Sequence, residues 1–162
     1  MRWVWIAMVG MLGLTACFYT APRPPWQRQS QFNPAEYAAY DEPAGASITG
    51  QAFLKTRGGD VKYGAGNYVA LDPVTPYSTE WFEHTVMKGV VKPDPDSRTH
   101  AYHREVMADG EGRFTFENLP AGDYYVYCNI RWLAGESNTG GVARAKVHVE
   151  AGQHIKNVIV TR

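Results

Sequence analysis

Five histidines, two cysteines and a scatter of carboxylates are the residues of this chain whose types admit chemistry. His100-Ala101-Tyr102-His103 is an H-x-x-H, a spacing that faces two imidazoles toward one metal ion when it lies on a helix. In a strand, residues three apart point to opposite sides, and the surrounding span 99–107 reads as strand, so the pair is expected not to chelate. The H-E-x-x-H of zinc peptidases is absent, as are a G-x-S-x-G elbow and a recognisable Ser/His/Asp set. Glu105 and Asp109 read as a solvated edge rather than an acid/base couple. Cys128 sits in Tyr124-Tyr125-Val126-Tyr127-Cys128-Asn129-Ile130, on one strand face with Val126 and Ile130, whereas a reactive thiolate needs an electropositive, accessible setting. The expectation is no catalytic residue, no metal ligand and no cofactor. A metal-dependent enzyme is the third-ranked reading, to be judged by stoichiometric metal in the purified protein.

The strongest binding character lies in two adjoining segments, 123–133 and 142–150. Pairing Leu133 with Val142 across a loop at 134–141 turns Cys128, Ile130 and Trp132 inward, opposite Ala143, Ala145 and Val147. The other face then carries Tyr125, Tyr127, Asn129 and Arg131 beside Arg144, Lys146, His148 and Glu150. Tyr and Arg are favoured at interfaces because they bring area with few rotors and directional donors. The plain alternative is a solvated sheet face of cross-strand Tyr–His and Arg–Glu neighbours. Trp81 and Phe82, in a long insert over 73–96, join Tyr127 as rings that would stack on sugars. The protein-binding and carbohydrate-binding readings part on whether those three aromatics form one flat exposed platform or are core.

These side chains need a frame, and composition narrows it. The 162 residues are 44% hydrophobic and 20% charged, with 16 Lys+Arg against 16 Asp+Glu. Such balance removes the basic footprint of phosphate binding, so nucleic acid is not expected as a partner. Sixteen Gly, ten Pro, ten Tyr, five Trp and six Phe favour a turn-rich β-protein. Met1-Arg2 followed by an apolar run over 3–14 has the form of a signal segment, too short to span a bilayer. Directly behind it, Leu14-Thr15-Ala16-Cys17 resembles a bacterial lipobox. That resemblance implies cleavage after residue 16 and a covalent lipid on Cys17, which would anchor the chain to a membrane; Phe18, rather than Asp, in the next position implies the outer membrane. The expected organisation is 1–16 signal peptide, 17–47 Pro-rich lipid-anchored tether, and 48–162 globular domain. A short helix over 34–40, opened by Asn33 with Pro34 in the first turn, is compatible with the tether.

Strand-like alternation recurs at 48–55, 67–71, 99–107, 113–117, 123–133, 142–150 and 155–161, with 79–88 ambiguous and 55–67 read as a broad glycine-dense turn. This predicts an all-β, seven- to eight-stranded antiparallel β-sandwich. The run Asp109 to Tyr124, D-G-E-G-R-F-T-F-E-N-L-P-A-G-D-Y, resembles the carboxypeptidase regulatory-like domain, a prealbumin-like sandwich. The opening Ile48-Thr49-Gly50 and the closing Ala151-Gly152 turn before 155–161 agree with it. The resemblance implies a fold rather than an activity. Two catalytic relatives of that fold, the intradiol dioxygenases and the hydroxyisourate hydrolases, depend on Tyr/His sets or a tail that this chain lacks. The resulting expectation is a noncatalytic module of the cell envelope with an envelope protein as partner, and carbohydrate binding as the alternative.

Overall fold

The structure, a computed structural model, describes residues 26–89 and 94–162. Cys17, the signal segment and part of the Pro/Asp-rich turn lie outside the described residues. Eight strands are present: β1 (Ala46–Lys55), β2 (Val61–Tyr63), β3 (Tyr68–Pro73), β4 (Arg104–Met107), β5 (Arg113–Leu119), β6 (Gly122–Ala134), β7 (Ser137–Val149) and β8 (His154–Val160). They form two four-stranded sheets. One has the order β2-β1-β5, with β8 also on β1, and the other has the order β4-β3-β6-β7. The all-β sandwich expected from the alternation is the fold observed. Neighbours run antiparallel except β1 and β8, which are parallel.

Alternation does the building. Every second residue of β1 from Ala46 to Leu54 is buried, and its partners across the sandwich are Val69 and Leu71 of β3 and Val126, Cys128 and Ile130 of β6. Apolar side chains on one face of each sheet leave water together, which is the main force closing the two layers. The Asp109–Tyr124 run works as its pattern requires. Asp109 Oδ1 accepts the N–H groups of Glu111 and Arg113, both at 2.8 Å, pinning the turn by which the chain crosses between sheets. Gly112 stands there at φ +75°, where a Cβ would lie 2.5 Å from the Ala52 carbonyl oxygen. Phe114, Phe116, Leu119 and Tyr124 are all buried, and the Tyr124 hydroxyl donates to the Pro120 carbonyl at 2.9 Å.

Four local expectations are revised. The β6–β7 hairpin turns at Gly135-Glu136 rather than through a loop over 134–141, and Leu133 pairs with Asn138, not Val142. The polar run 137–141 is strand because Gly140 lets β7 lie close to β6: a Cβ there would meet the Ile130 carbonyl oxygen at 2.2 Å. The register moves by four residues, an even number, so every side chain keeps its face. The span 79–88 is helical, with α2 (Pro76–Trp81) continuing as a π-helical turn, Phe82–Met87. Thr75 caps α2 reciprocally with Ser78, and Pro76 opens it. The span 99–107 divides into a 3₁₀ turn, Ser97–Ala101, and β4, so His100 is not on a strand. Finally, 55–67 contains β2, paired back onto the end of β1.

The described part of the expected tether is laid on the domain. Asn33 caps a short helix, α1 (Pro34–Tyr37), followed by a 3₁₀ turn, Ala38–Tyr40. Tyr37 is buried, and Tyr40 donates to the Asp123 carbonyl at 3.0 Å. Upstream, Glu80 of α2 accepts the N–H groups of Gln29 and Ser30 at 2.8 and 2.7 Å and the Ser30 hydroxyl. The Arg28 guanidinium rests 3.9 Å from the centre of the Tyr77 ring. Aromatic and charged side chains thus hold this segment in place, where a Gly/Ser linker would offer nothing to bury.

Candidate functional site: an aromatic cleft on the outer sheet face

Val69 and Leu71 of β3 point into the core, so Tyr68, Ala70 and Asp72 point outward. Register places Asp72 beside Tyr125 of β6 and Ala70 beside Tyr127 and Glu105 of β4. Over this face lie α2 with its π-helical continuation, Tyr37 of α1 bonded to the Thr75 cap of α2, and the turn that ends at Tyr102 against Tyr37. Between them is a cavity of about 370 Å³, at the lower end of the range for small-ligand clefts. Aromatic residues Tyr37, Tyr77, Trp81, Tyr102 and Tyr127 wall it, and Asp72, His103 and Glu105 supply its charged groups.

Those three charged groups form one chain. Tyr127 donates to Asp72 Oδ2 at 2.7 Å, while Asp72 Oδ1 is 2.7 Å from His103 Nδ1. His103 Nε2 is 3.3 Å from Glu105 Oε1. An imidazole facing a carboxylate through each nitrogen satisfies both contacts only when both nitrogens carry protons. The Asp72 hydrogen bond, opposed by partial burial and assisted by Glu105, raises the His103 pKa to about 9. The Tyr127 hydroxyl is pushed above its ordinary range by burial and by Asp72, so it stays a donor. With both nitrogens engaged, His103 has no free lone pair to act as a base. The arrangement offers oriented hydrogen-bond acceptors and aromatic faces rather than a nucleophile.

The residues anticipated from sequence are distributed unevenly around this cleft. Tyr127 and Trp81 line it, their ring centroids 6.1 Å apart and tilted by 47°. Phe82 is buried instead, stacked on Tyr125 at 4.1 Å, so these aromatics do not make a flat exposed platform. Tyr125 also lies 3.1 Å from the Thr79 hydroxyl through its own hydroxyl. The aromatic half of the anticipated protein-binding stripe is therefore beneath α2 and its continuation. Arg144 is half-buried, and Lys146 and His148 are exposed but gather at Asp123, at 3.7 and 2.9 Å. Arg131 lies apart, in a shallow depression with Asn138, Thr139 and Thr85. The stripe does not form one continuous free face.

The other residues singled out in the sequence are placed as follows. His100 lines the cleft while His103 is committed to two carboxylates, and among the described residues no group of three His, Cys, Asp or Glu is placed to hold a metal ion. Glu105 is not merely a solvated edge; it belongs to the cleft, whereas Asp109 caps a turn. Cys128 is fully buried, and burial pushes its thiol up to about 11. Sequence reasoning missed Asp72, Tyr77, Tyr102 and Tyr37, although the Asn33-Pro34 helix start and the Thr75-Pro76 cap were local signs that aromatic side chains there would be held in place.

Fold and cleft define a β-sandwich protein whose ligand-sized concavity is built on one sheet by helical and N-terminal segments. No protein-family model matches the chain, and no curated protein is significantly similar to it. Among solved structures, that of a putative carbohydrate binding protein from Pseudomonas aeruginosa superposes with a TM-score of 0.73 at 30% identity, covering 82% of this chain and 99% of that one. With that identity over the whole of the solved chain, the two proteins belong to one family.

Proposed function

We propose that this protein is a noncatalytic carbohydrate-binding protein held at the bacterial cell envelope by a lipid on Cys17. The observation that carries the binding reading is the aromatic-walled cleft with the Tyr127–Asp72–His103–Glu105 chain at its side. A pyranose presents an apolar C–H face, which suits an aromatic ring, and a hydroxyl edge, which suits carboxylate acceptors. The family member from Pseudomonas aeruginosa, described as a putative carbohydrate binding protein, supports the same reading. The envelope location rests on the Leu14-Thr15-Ala16-Cys17 motif behind its apolar run. The sandwich is proposed as a variant of the carboxypeptidase regulatory-like domain, since its Asp109–Tyr124 run performs the turn and core roles of that pattern.

Two measurements test these readings. Calorimetric titration of the full chain with glucose, galactose, mannose and N-acetylglucosamine is expected to show saturable binding to at least one, weakened at least tenfold by Trp81→Ala. Saturation by none, or binding indifferent to Trp81, overturns the cleft as a sugar site. Labelled palmitate is expected to enter the wild-type chain and not Cys17→Ser, with the label in the outer-membrane fraction; an unlabelled wild type overturns the anchor.

A further inference from the structure

Tyr68 and Met107 are among the most exposed large apolar residues of the described chain, at 58% and 60%. They are direct cross-strand partners on β3 and β4. Side chains two residues apart on a strand share a face and stand about 6.7 Å apart. Tyr68 is two residues from Ala70 and Met107 two from Glu105, on the same sheet face as Asp72. Glu105 and Tyr127, which flank Ala70 in the register, line the cleft, and one step further along the same face stand Tyr68 and its partner Met107. The step along the face to Tyr68 is comparable with one sugar repeat of an extended glycan. Charge adds a second constraint. Among the described residues no Lys or Arg lines the cleft, and its charged groups are Asp72 and Glu105 with His103 between them, so a polyanion would meet net negative charge.

Resting on the carbohydrate reading above, we propose that the site takes an uncharged oligosaccharide rather than a single sugar or an acidic glycan, with one residue in the cleft and the next stacked on Tyr68 against Met107. The exposed pair then has an occupant continuous with the cleft, and the ligand is read by length as well as by ring shape. The test titrates the full chain, in a detergent without a sugar headgroup, with mono- to tetrasaccharides of the four sugars named above and with an oligogalacturonate. Affinity is expected to rise at least tenfold from monosaccharide to trisaccharide. Tyr68→Ala is expected to abolish that gain while leaving monosaccharide affinity within twofold, and Tyr68→Phe to retain it. Length-independent affinity, a gain that survives Tyr68→Ala, or preference for the oligogalacturonate overturns this proposal. If a monosaccharide still binds and responds to Trp81→Ala, the cleft reading survives that failure; if no sugar binds, both fall together.

Discussion

Phe82 lies flat on Tyr125, with ring centroids 4.1 Å apart and planes 6° from parallel. This contact fastens the helical insert to the sheet and hides a tyrosine that alternation alone would leave in water. Phe82→Ala removes a 7%-exposed ring and is expected to cost about 3 kcal/mol, since the fixed sheet below cannot collapse into the space. Urea unfolding measures it. A loss under about 1 kcal/mol would mean that the insert is held mainly by its cap and by Glu80.

The His103 contacts make a pH prediction. Its folded pKa, about 9, lies above the 6.5 of a free imidazole, so the stabilisation is complete below about pH 6.5 and is lost as pH rises through about 9. Asp72 and Glu105 are the ionisable groups in contact with it, and Tyr127 bonds the far oxygen of Asp72. Denaturation midpoints should fall between pH 7 and 10 in the wild type and change less in His103→Gln. Equal slopes in the two proteins would show that His103 is not the group that titrates.

Glu80 joins the N-terminal segment to α2. Burial works to raise its pKa, but hydrogen bonds from Ser30 and Gln29 and the charge of Arg28 prevail and lower it. Its contribution is present above the free-carboxyl value of 4.5 and is lost as pH falls through the folded value. Glu80→Ala should speed tryptic cleavage after Arg28 about tenfold at neutral pH without moving the global unfolding midpoint by much. Unchanged cleavage would indicate that the aromatic contacts of Tyr37 and Tyr40 hold the segment without it.

At Gly112 two penalties coincide, a positive φ and a backbone oxygen 2.5 Å from where a Cβ would stand. Gly112→Ala is therefore expected to cost about 3 kcal/mol, against about 1 kcal/mol for Gly59→Ala, where φ is +95° but nothing lies within 4 Å. Thermal or urea denaturation of the two variants, side by side, separates backbone strain from collision.

Strand alternation made the sandwich legible because the buried residues of β1, β5 and β6 repeat with a period of two, and the Asp109–Tyr124 turn supplied the crossing between sheets. The cleft was less legible. Its walls come from segments separated by up to ninety residues, Tyr37 at one extreme and Tyr127 at the other, and nothing local to either announces their meeting. Trp81, Phe82 and Tyr127 stand out in the sequence as aromatics by type, but of the three Phe82 is buried against Tyr125 while Trp81 and Tyr127 line the cleft. Asp72 lies just past the alternating span 67–71, so nothing in the sequence marks it; its pairing with His103 arises from β3–β4 register, a relation between strands that single-chain periodicity does not carry.

The parallel pairing of β1 with β8 has a bearing on how the molecule comes into being. Ser47 meets His154 across 107 residues of sequence, and β8 takes the edge of β1 opposite the one that β5 and β2 occupy in succession. A nascent chain holding everything up to β7 still has a vacant ledge along β1, beside the buried core. Closure must await the last strand, so the sandwich is completed only after nearly all of this sequence has been released into one compartment. A polypeptide that matures in this order stays pliable through most of its synthesis and becomes rigid only when β8 docks.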